Sequence, residues 1–340
     1  MQISIQQSKH LQAVAILMML FLHLFNRSHE NLFSPLLFIG DLPLSYYISL
    51  FCDSCVPIFA FVSGYGLYYK YLNNKGSFNR DNLLRLKKMY INYWVVLLLF
   101  AVILGLLLSK EGYPGDLMKF LGNVTAFNPS YNGAWWFFTI YVLFILTSRF
   151  WFYLLDKIHP ILYIVMLFVL YLVGFYFRIY NSDLFSNIYL HYFHTQSALF
   201  FCTLFQFMLG AFALKYNDSC KFLIKSNNFL VNNLIFIIGV FVLIIIHAFI
   251  PNFVIAPFIG IIFIALFINI KLPNFISKLL DALSVHTTNM WLIHMFFYLI
   301  YFQDKIYRLK FPLIIYLALI ILCLISSIVV NQLVRLVIKK

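Results

Sequence analysis

Residues Phe229–Phe249 read FLVNNLIFIIGVFVLIIIHAF, a run with no Lys, Arg, Asp or Glu. About 20 apolar residues wound as a helix cross the hydrocarbon core of a bilayer. Such a helix satisfies its own backbone, which lipid cannot do. The same texture recurs in both directions along the chain. Ten stretches qualify: 11–25, 44–69, 89–109, 135–155, 161–177, 197–214, 229–249, 253–270, 287–302 and 311–338. The expected fold is all-α, a polytopic integral membrane protein of about ten transmembrane helices. These form one transmembrane domain over residues 1–340, with no appended soluble domain. Composition agrees. Hydrophobic residues make up 63% of the 340 and charged residues 10%, against roughly 45–50% and 25% in soluble domains. That is too little polar surface to cover a soluble core. Disordered, coiled-coil and disulfide-scaffold classes fail on the same numbers.

The net charge of +13 invites a nucleic-acid reading, but its distribution argues for topology. With ten spans both termini share a side. That side carries Lys9, the cluster from Lys70 to Lys88, Arg149, Lys157, Lys215, Lys221, Lys225, Lys271, Lys278, Arg335, Lys339 and Lys340. The other side holds only Arg27, Lys110, Lys119, Arg178, Lys305, Arg308 and Lys310. Basic loops resist translocation, so both termini are expected in the cytoplasm, the protein in the cytoplasmic (inner) membrane, and no nucleic acid as partner. Of the five Cys, Cys52 and Cys55 form a C-x-x-C. Further ligands at metal-binding spacing are lacking, so no metal is expected.

Ionisable groups inside a bilayer are costly and therefore worth reading. His23 lies twelve residues into the first stretch, about 18 Å along it. An imidazole there can take a proton from an alcohol near neutral pH, or simply bond a neighbouring loop. Gln12 is eleven residues earlier, three turns plus 20°, so the two share a face about 16 Å apart. Lys9 lies 40° off that face, and His10 points elsewhere.

The segment 9–25, KHLQAVAILMMLFLHLF, resembles the first helix of the membrane-bound acyltransferase family 3, the bacterial surface-polysaccharide O-acyltransferases. There a basic residue stands eleven positions before the histidine, and here Gln12 occupies that position. Residues 56–69 (VPIFAFVSGYGLYY), 85–94 (RLKKMYINYW), 132–141 (NGAWWFFTIY) and 283–297 (LSVHTTNMWLIHMFF) resemble the second, third, fourth and ninth helices of the family, in order. The resemblance implies transfer of an acyl group, usually acetyl, from coenzyme A to a hydroxyl of a surface glycan or its lipid-linked precursor. It implies His23 as the catalytic residue, acting as general base or through an acyl-histidine. It implies a coenzyme A site at Arg85 and Lys88, one helical face at i, i+3, with Lys9 standing in for the missing charge at Gln12.

The remaining site residues each carry two readings. Ser63, beside Gly64, either leaves room for a pantetheine arm or marks close helix packing. Asp53 could orient His23 or bind a sugar hydroxyl. Trp136 is an interfacial belt residue or a wall of the acyl or sugar site. Ser63, Asn132 or Trp136 could donate to the oxyanion, and His294 supports the site from mid-membrane. His191 and His194 are read as loop residues. The rival function is a transporter or flippase of lipid-linked sugar or polysaccharide. Such proteins show repeats, and no repeat is found here.

Overall fold

The computed structural model describes residues 2–26, 32–217 and 228–338. Arg27, Cys220, Lys221, Lys225, Lys339 and Lys340 lie outside the described residues. The protein is a helical bundle whose only strands, among these residues, are the short antiparallel pair β1 (Phe38–Ile39) and β2 (Leu42–Pro43). Among the described residues, eight helical segments are long and apolar enough to cross a membrane.

Helix α1, Ile5–Phe25, starts six residues before its apolar stretch. Ser4 and Gln7 form a capping box there, which satisfies first-turn amides. Beyond its polar first turns it is apolar except at Gln12 and His23 and buried on most sides: Leu11, Ala13, Ala15, Ile16, Leu20, Leu24 and Phe25 are all inside. A helix that is hydrophobic on nearly every side belongs in the middle of a bundle. Helices α2 (Leu44–Cys52) and α3 (Cys55–Asn73) together make the second span. One continuous helix was expected here, but it breaks at Asp53–Ser54. Cys52 and Cys55 flank the break as free, buried thiols.

The third span begins as α4, Phe78–Val96, passes through a π-helical segment, Leu97–Ile103, and ends as α5, Leu104–Leu107. A π turn loosens the regular ladder. Tyr301 Oη donates to the Phe100 carbonyl inside it, at 2.6 Å. The outer connection holds α6, Leu117–Val124. Tyr93, Tyr90 and Trp94 of α4 donate to the carbonyls of Asn123, Thr125 and Val124 at its end. Burial pushes the Tyr131 phenol up to about 12, so it stays a neutral donor to the Pro114 carbonyl.

A 3-10 turn, Gly133–Trp135, leads into α7, Trp136–Lys157. Then come α8, Pro160–Ile179, and α9, Ile188–Lys215. His191 and His194 fall in the first turns of α9, not in a loop. Asn187 caps that helix early by accepting from the Tyr189 and Leu190 amides.

Helices α3 and α9 touch backbone to backbone. A Cβ on Gly64 would stand 1.7 Å from the Phe207 carbonyl oxygen, and one on Gly210 would stand 2.0 Å from that of Phe61. Only glycine fits at both positions, the small-residue packing that membrane helices use. Helix α10, Phe229–Phe249, has the bounds read from sequence and buries only 11% of its central window, as a lipid-facing helix should.

The eighth stretch is short: a 3-10 turn and α11, Ala256–Phe267. Helix α12, Asn274–Ser284, is amphipathic and docks on the first turns of α1. There Asp281 takes His10 at 3.0 Å and Gln6 at 3.0 Å. The ninth stretch is α13, Thr287–Met295, and a π-helical turn, Phe296–Tyr301. After the short α14, Gln303–Tyr307, comes α15, Pro312–Ile338.

Candidate active site

His23 stands near the end of α1, and α13 packs beside it. The His23 Nδ1 is 2.6 Å from His294 Nε2, and the two rings lie parallel. His294 is fully buried, and its Nδ1 is 2.7 Å from the Trp291 carbonyl oxygen. A carbonyl only accepts, so His294 carries its proton on Nδ1. Its Nε2 is then an acceptor, and His23 must donate from Nδ1. The lone pair of His23 is thereby placed on Nε2. A chain of two hydrogen bonds, starting from one backbone carbonyl, fixes the tautomer that a base requires.

The wall opposite is clamped to the same helix. The Leu292 carbonyl accepts from Trp135 Nε1 at 2.8 Å and from Asn132 Nδ2 at 3.0 Å. Trp291 Nε1 donates back to the Ala134 carbonyl at 3.0 Å. Asn132 also accepts from the Ala134 amide. It is buried and spent on this clamp, so it holds the start of α7 and does not line the cavity as an oxyanion donor. Of the three donors considered from sequence, only Trp136 lines the cavity that holds His23.

That cavity is about 400 Å³, within the usual range of ligand sites. Its polar walls include His23, Asp53, Trp136, Arg178, Thr203 and Gln206. Asp53 reaches it from the break between α2 and α3. Its Oδ2 is 3.6 Å from His247 Nε2 of α10. The expectation that Asp53 orients His23 is therefore corrected: that task falls to His294. Arg178, at the end of α8, lays its guanidinium over the rings of Trp136 and Phe253, 5.3 and 4.7 Å from their centroids.

Two further cavities continue toward the opposite end of the bundle. The middle one, about 250 Å³, is lined by Gln12, Ser63, Phe59 and Thr287. It shares Met19, Phe137 and Trp291 with the His23 cavity. The last one, about 480 Å³, is lined by Lys70, Arg85, Lys88, Asn92, Asn289 and Asn331. It shares Arg85, Met89 and Thr288 with the middle one. The three cavities lie in series, neighbours sharing wall residues, with cations at one end and His23 at the other.

Ser63 lines the middle cavity, while its neighbour Gly64 packs against α9. Lys9 is exposed on α1 and lies outside the lining of all three cavities. Sequence reasoning missed Arg178, Gln206, Thr203 and Lys70. It also missed the asparagine ladder in which Asn92 donates to Asn289 and Asn289 to Asn331, at 2.7 and 2.9 Å. A polar residue in an apolar run was the available signal for Gln206. Among the described residues no cluster of three His, Cys, Asp or Glu could hold a metal.

No curated protein and no solved structure matches the chain. The sequence model of the acyltransferase domain of family 3 matches residues 6–332. That span takes in α1 with its histidine and every helix of the passage, and the chain belongs to acyltransferase family 3.

Proposed function

We propose that the protein transfers an acyl group, acetyl by family default, from coenzyme A to a hydroxyl of a cell-surface polysaccharide or its lipid-linked precursor. The observation that carries this reading is the series of adjoining cavities from the basic mouth to His23. Arg85, Lys88 and Lys70 suit the phosphates of coenzyme A, since charge-assisted bonds to phosphate are the strong ones. The pantetheine arm runs through the middle cavity past Gln12 and Ser63, and the thioester arrives at His23. By the distribution of basic residues the cationic mouth is the cytoplasmic one, so donor and acceptor enter from opposite sides.

In this reading the acceptor hydroxyl attacks the thioester carbonyl while His23 Nε2 takes its proton. The tetrahedral intermediate expels the coenzyme A thiolate, and the imidazolium returns the proton to that sulfur. One C–O bond forms, one C–S bond breaks, and ester and thiol leave. The bond from His23 Nδ1 to His294 Nε2 stabilises the transient positive charge and holds the ring in place.

The test is purified protein in lipid nanodiscs, titrated with acetyl coenzyme A by calorimetry and followed for thiol release with an added glycan acceptor. Saturable binding that weakens with salt, and acceptor-dependent thiol release, are expected. Absence of binding to any short-chain acyl coenzyme A would overturn the reading.

A further inference from the structure

The wall of the His23 cavity away from the donor side holds buried polar atoms without a protein partner. Gln206, in the middle of α9, is 5% exposed, and its Oε1 has no hydrogen-bond partner in the protein. The same is true of Asp53 Oδ1. Both side chains line the cavity. An unsatisfied buried acceptor loses its hydration without a replacement, and native structures contain few of them. Two on one wall mark a surface shaped for hydrogen-bond donors that arrive with a ligand.

Arg178 faces the same cavity and supplies donors of its own. Its guanidinium is held by two aromatic faces, and it makes no ion pair with Asp53 within 4 Å among the described residues. One carboxylate and one guanidinium therefore look into the cavity from different helices. Behind Asp53, His247 Nε2 stands 3.6 Å from its Oδ2, which leaves Oδ1 as the oxygen without a partner.

We propose that Asp53, Gln206 and Arg178 form the acceptor subsite and select an uncharged, hydroxyl-rich ring over one bearing a carboxylate, a phosphate or an ammonium group. The proposal rests on the reading that the acceptor meets the acyl donor in the His23 cavity. Hydroxyl groups donate to Asp53 Oδ1 and Gln206 Oε1, and ring or hydroxyl oxygens accept from Arg178. An anionic ring gains Arg178 but sets its charge against Asp53 and an amide oxygen. An ammonium ring meets the reverse conflict at Arg178. Like charges brought together in such a site cost several kcal/mol, enough to decide the class of acceptor.

The experiment uses the full chain in nanodiscs and three tetrasaccharides of one length: neutral, uronate and amino-sugar. Binding is read by saturation-transfer NMR, and thiol release from acetyl coenzyme A is followed in parallel. The wild type should bind the neutral tetrasaccharide at least about tenfold more tightly than either charged one. Asp53→Asn leaves Arg178 unbalanced, so preference should move toward the uronate. Arg178→Gln leaves Asp53 unbalanced, so preference should move toward the amino sugar. Gln206→Leu should weaken neutral binding without changing the order. A gain for one ligand cannot come from misfolding.

Equal binding of the three sugars, no binding of any, or an order that the two charge variants leave unmoved would overturn the subsite. Charge-selective binding without thiol release from any acyl coenzyme A would uphold the subsite and sink the transfer reading instead.

Discussion

The two mouths of the passage are made differently. The cationic mouth is built from long side chains at the surface: Lys70 and Lys88 are exposed and Arg85 is half-buried. The His23 mouth is built from side chains that hold one another. His23 is fixed by His294, His294 by a backbone carbonyl, and the Trp136 turn by reciprocal indole bonds to α13. Flexible cations suit a ligand that is captured by charge and slides inward. A preorganised end suits bond making, where misplacement of about 1 Å is costly. Variants at the inner mouth should therefore change binding of the donor, and variants at the outer mouth should change the rate.

The largest effect is expected at His23. His23→Ala removes the proposed general base, and transfer should fall by roughly 10²–10⁴-fold. Donor affinity should stay within a factor of about two, since the inner mouth is untouched. Both are read by thiol release and calorimetry on the same preparation. If donor affinity fell together with rate, the division between the mouths would be wrong.

His294 comes next and sharpens the outer half of the comparison. It acts through His23, so it is a positioning residue. His294→Leu removes the acceptor for His23 Nδ1–H, and kcat should drop on the order of 10²-fold with both KM values unchanged. His294→Gln keeps an oxygen that can accept that proton, so it should recover much of the loss. A purely packing role predicts that Leu, the apolar choice, does no worse than Gln.

At the inner mouth Arg85→Ala should raise the KM for acetyl coenzyme A by roughly 10–100-fold, as for a lost charge-assisted bond. Lys88→Ala should do less, because an exposed cation is screened. Both losses should shrink at high salt, and kcat should be unchanged. A kcat effect at Arg85 equal to its KM effect would mean that it acts on the reacting atoms.

Much of this was legible in the sequence, for reasons that differ by residue. Phe229–Phe249 was readable to the residue because a lipid-facing helix is decided by its own composition. His23 stood out because an ionisable group in an apolar helix is expensive. Arg178 was hidden because an Arg at a helix end looks like an interfacial charge, and only the aromatic cradle turns it inward. Gln206 was hidden because one amide carries no charge signal. Its place opposite α3 follows from the close approach of Gly64 to Phe207 and of Gly210 to Phe61, which no local pattern reveals. The break at Asp53 did leave a signal, since Asp53, Ser54 and Pro57 interrupt the apolar run and proline suits a helix start.

The smallest predicted effect concerns the missing family charge. On a helical wheel Lys9 lies 40° from the stripe of Gln12 and His23, close enough to suggest that it replaces the charge one turn away. An angle on one helix says nothing about which neighbours fill the space beside it. In the bundle α12 docks on the first turns of α1, and Asp281 takes His10 there. Lys9 is left at the exposed surface, whereas Gln12 lines the middle cavity beside Ser63 and Arg85. Lys9→Ala should therefore leave acetyl coenzyme A affinity within about twofold, as for exposed charges generally. Gln12→Leu removes a neutral donor from the passage and should weaken affinity by about 1 kcal/mol, roughly fivefold. Gln12→Lys restores a cation where the pantetheine arm meets the phosphates and should tighten binding in a salt-dependent way. Calorimetry on the three variants decides it. A loss at Lys9 larger than that at Gln12 would return the role to Lys9 and place the coenzyme on the outside of α1, away from the passage.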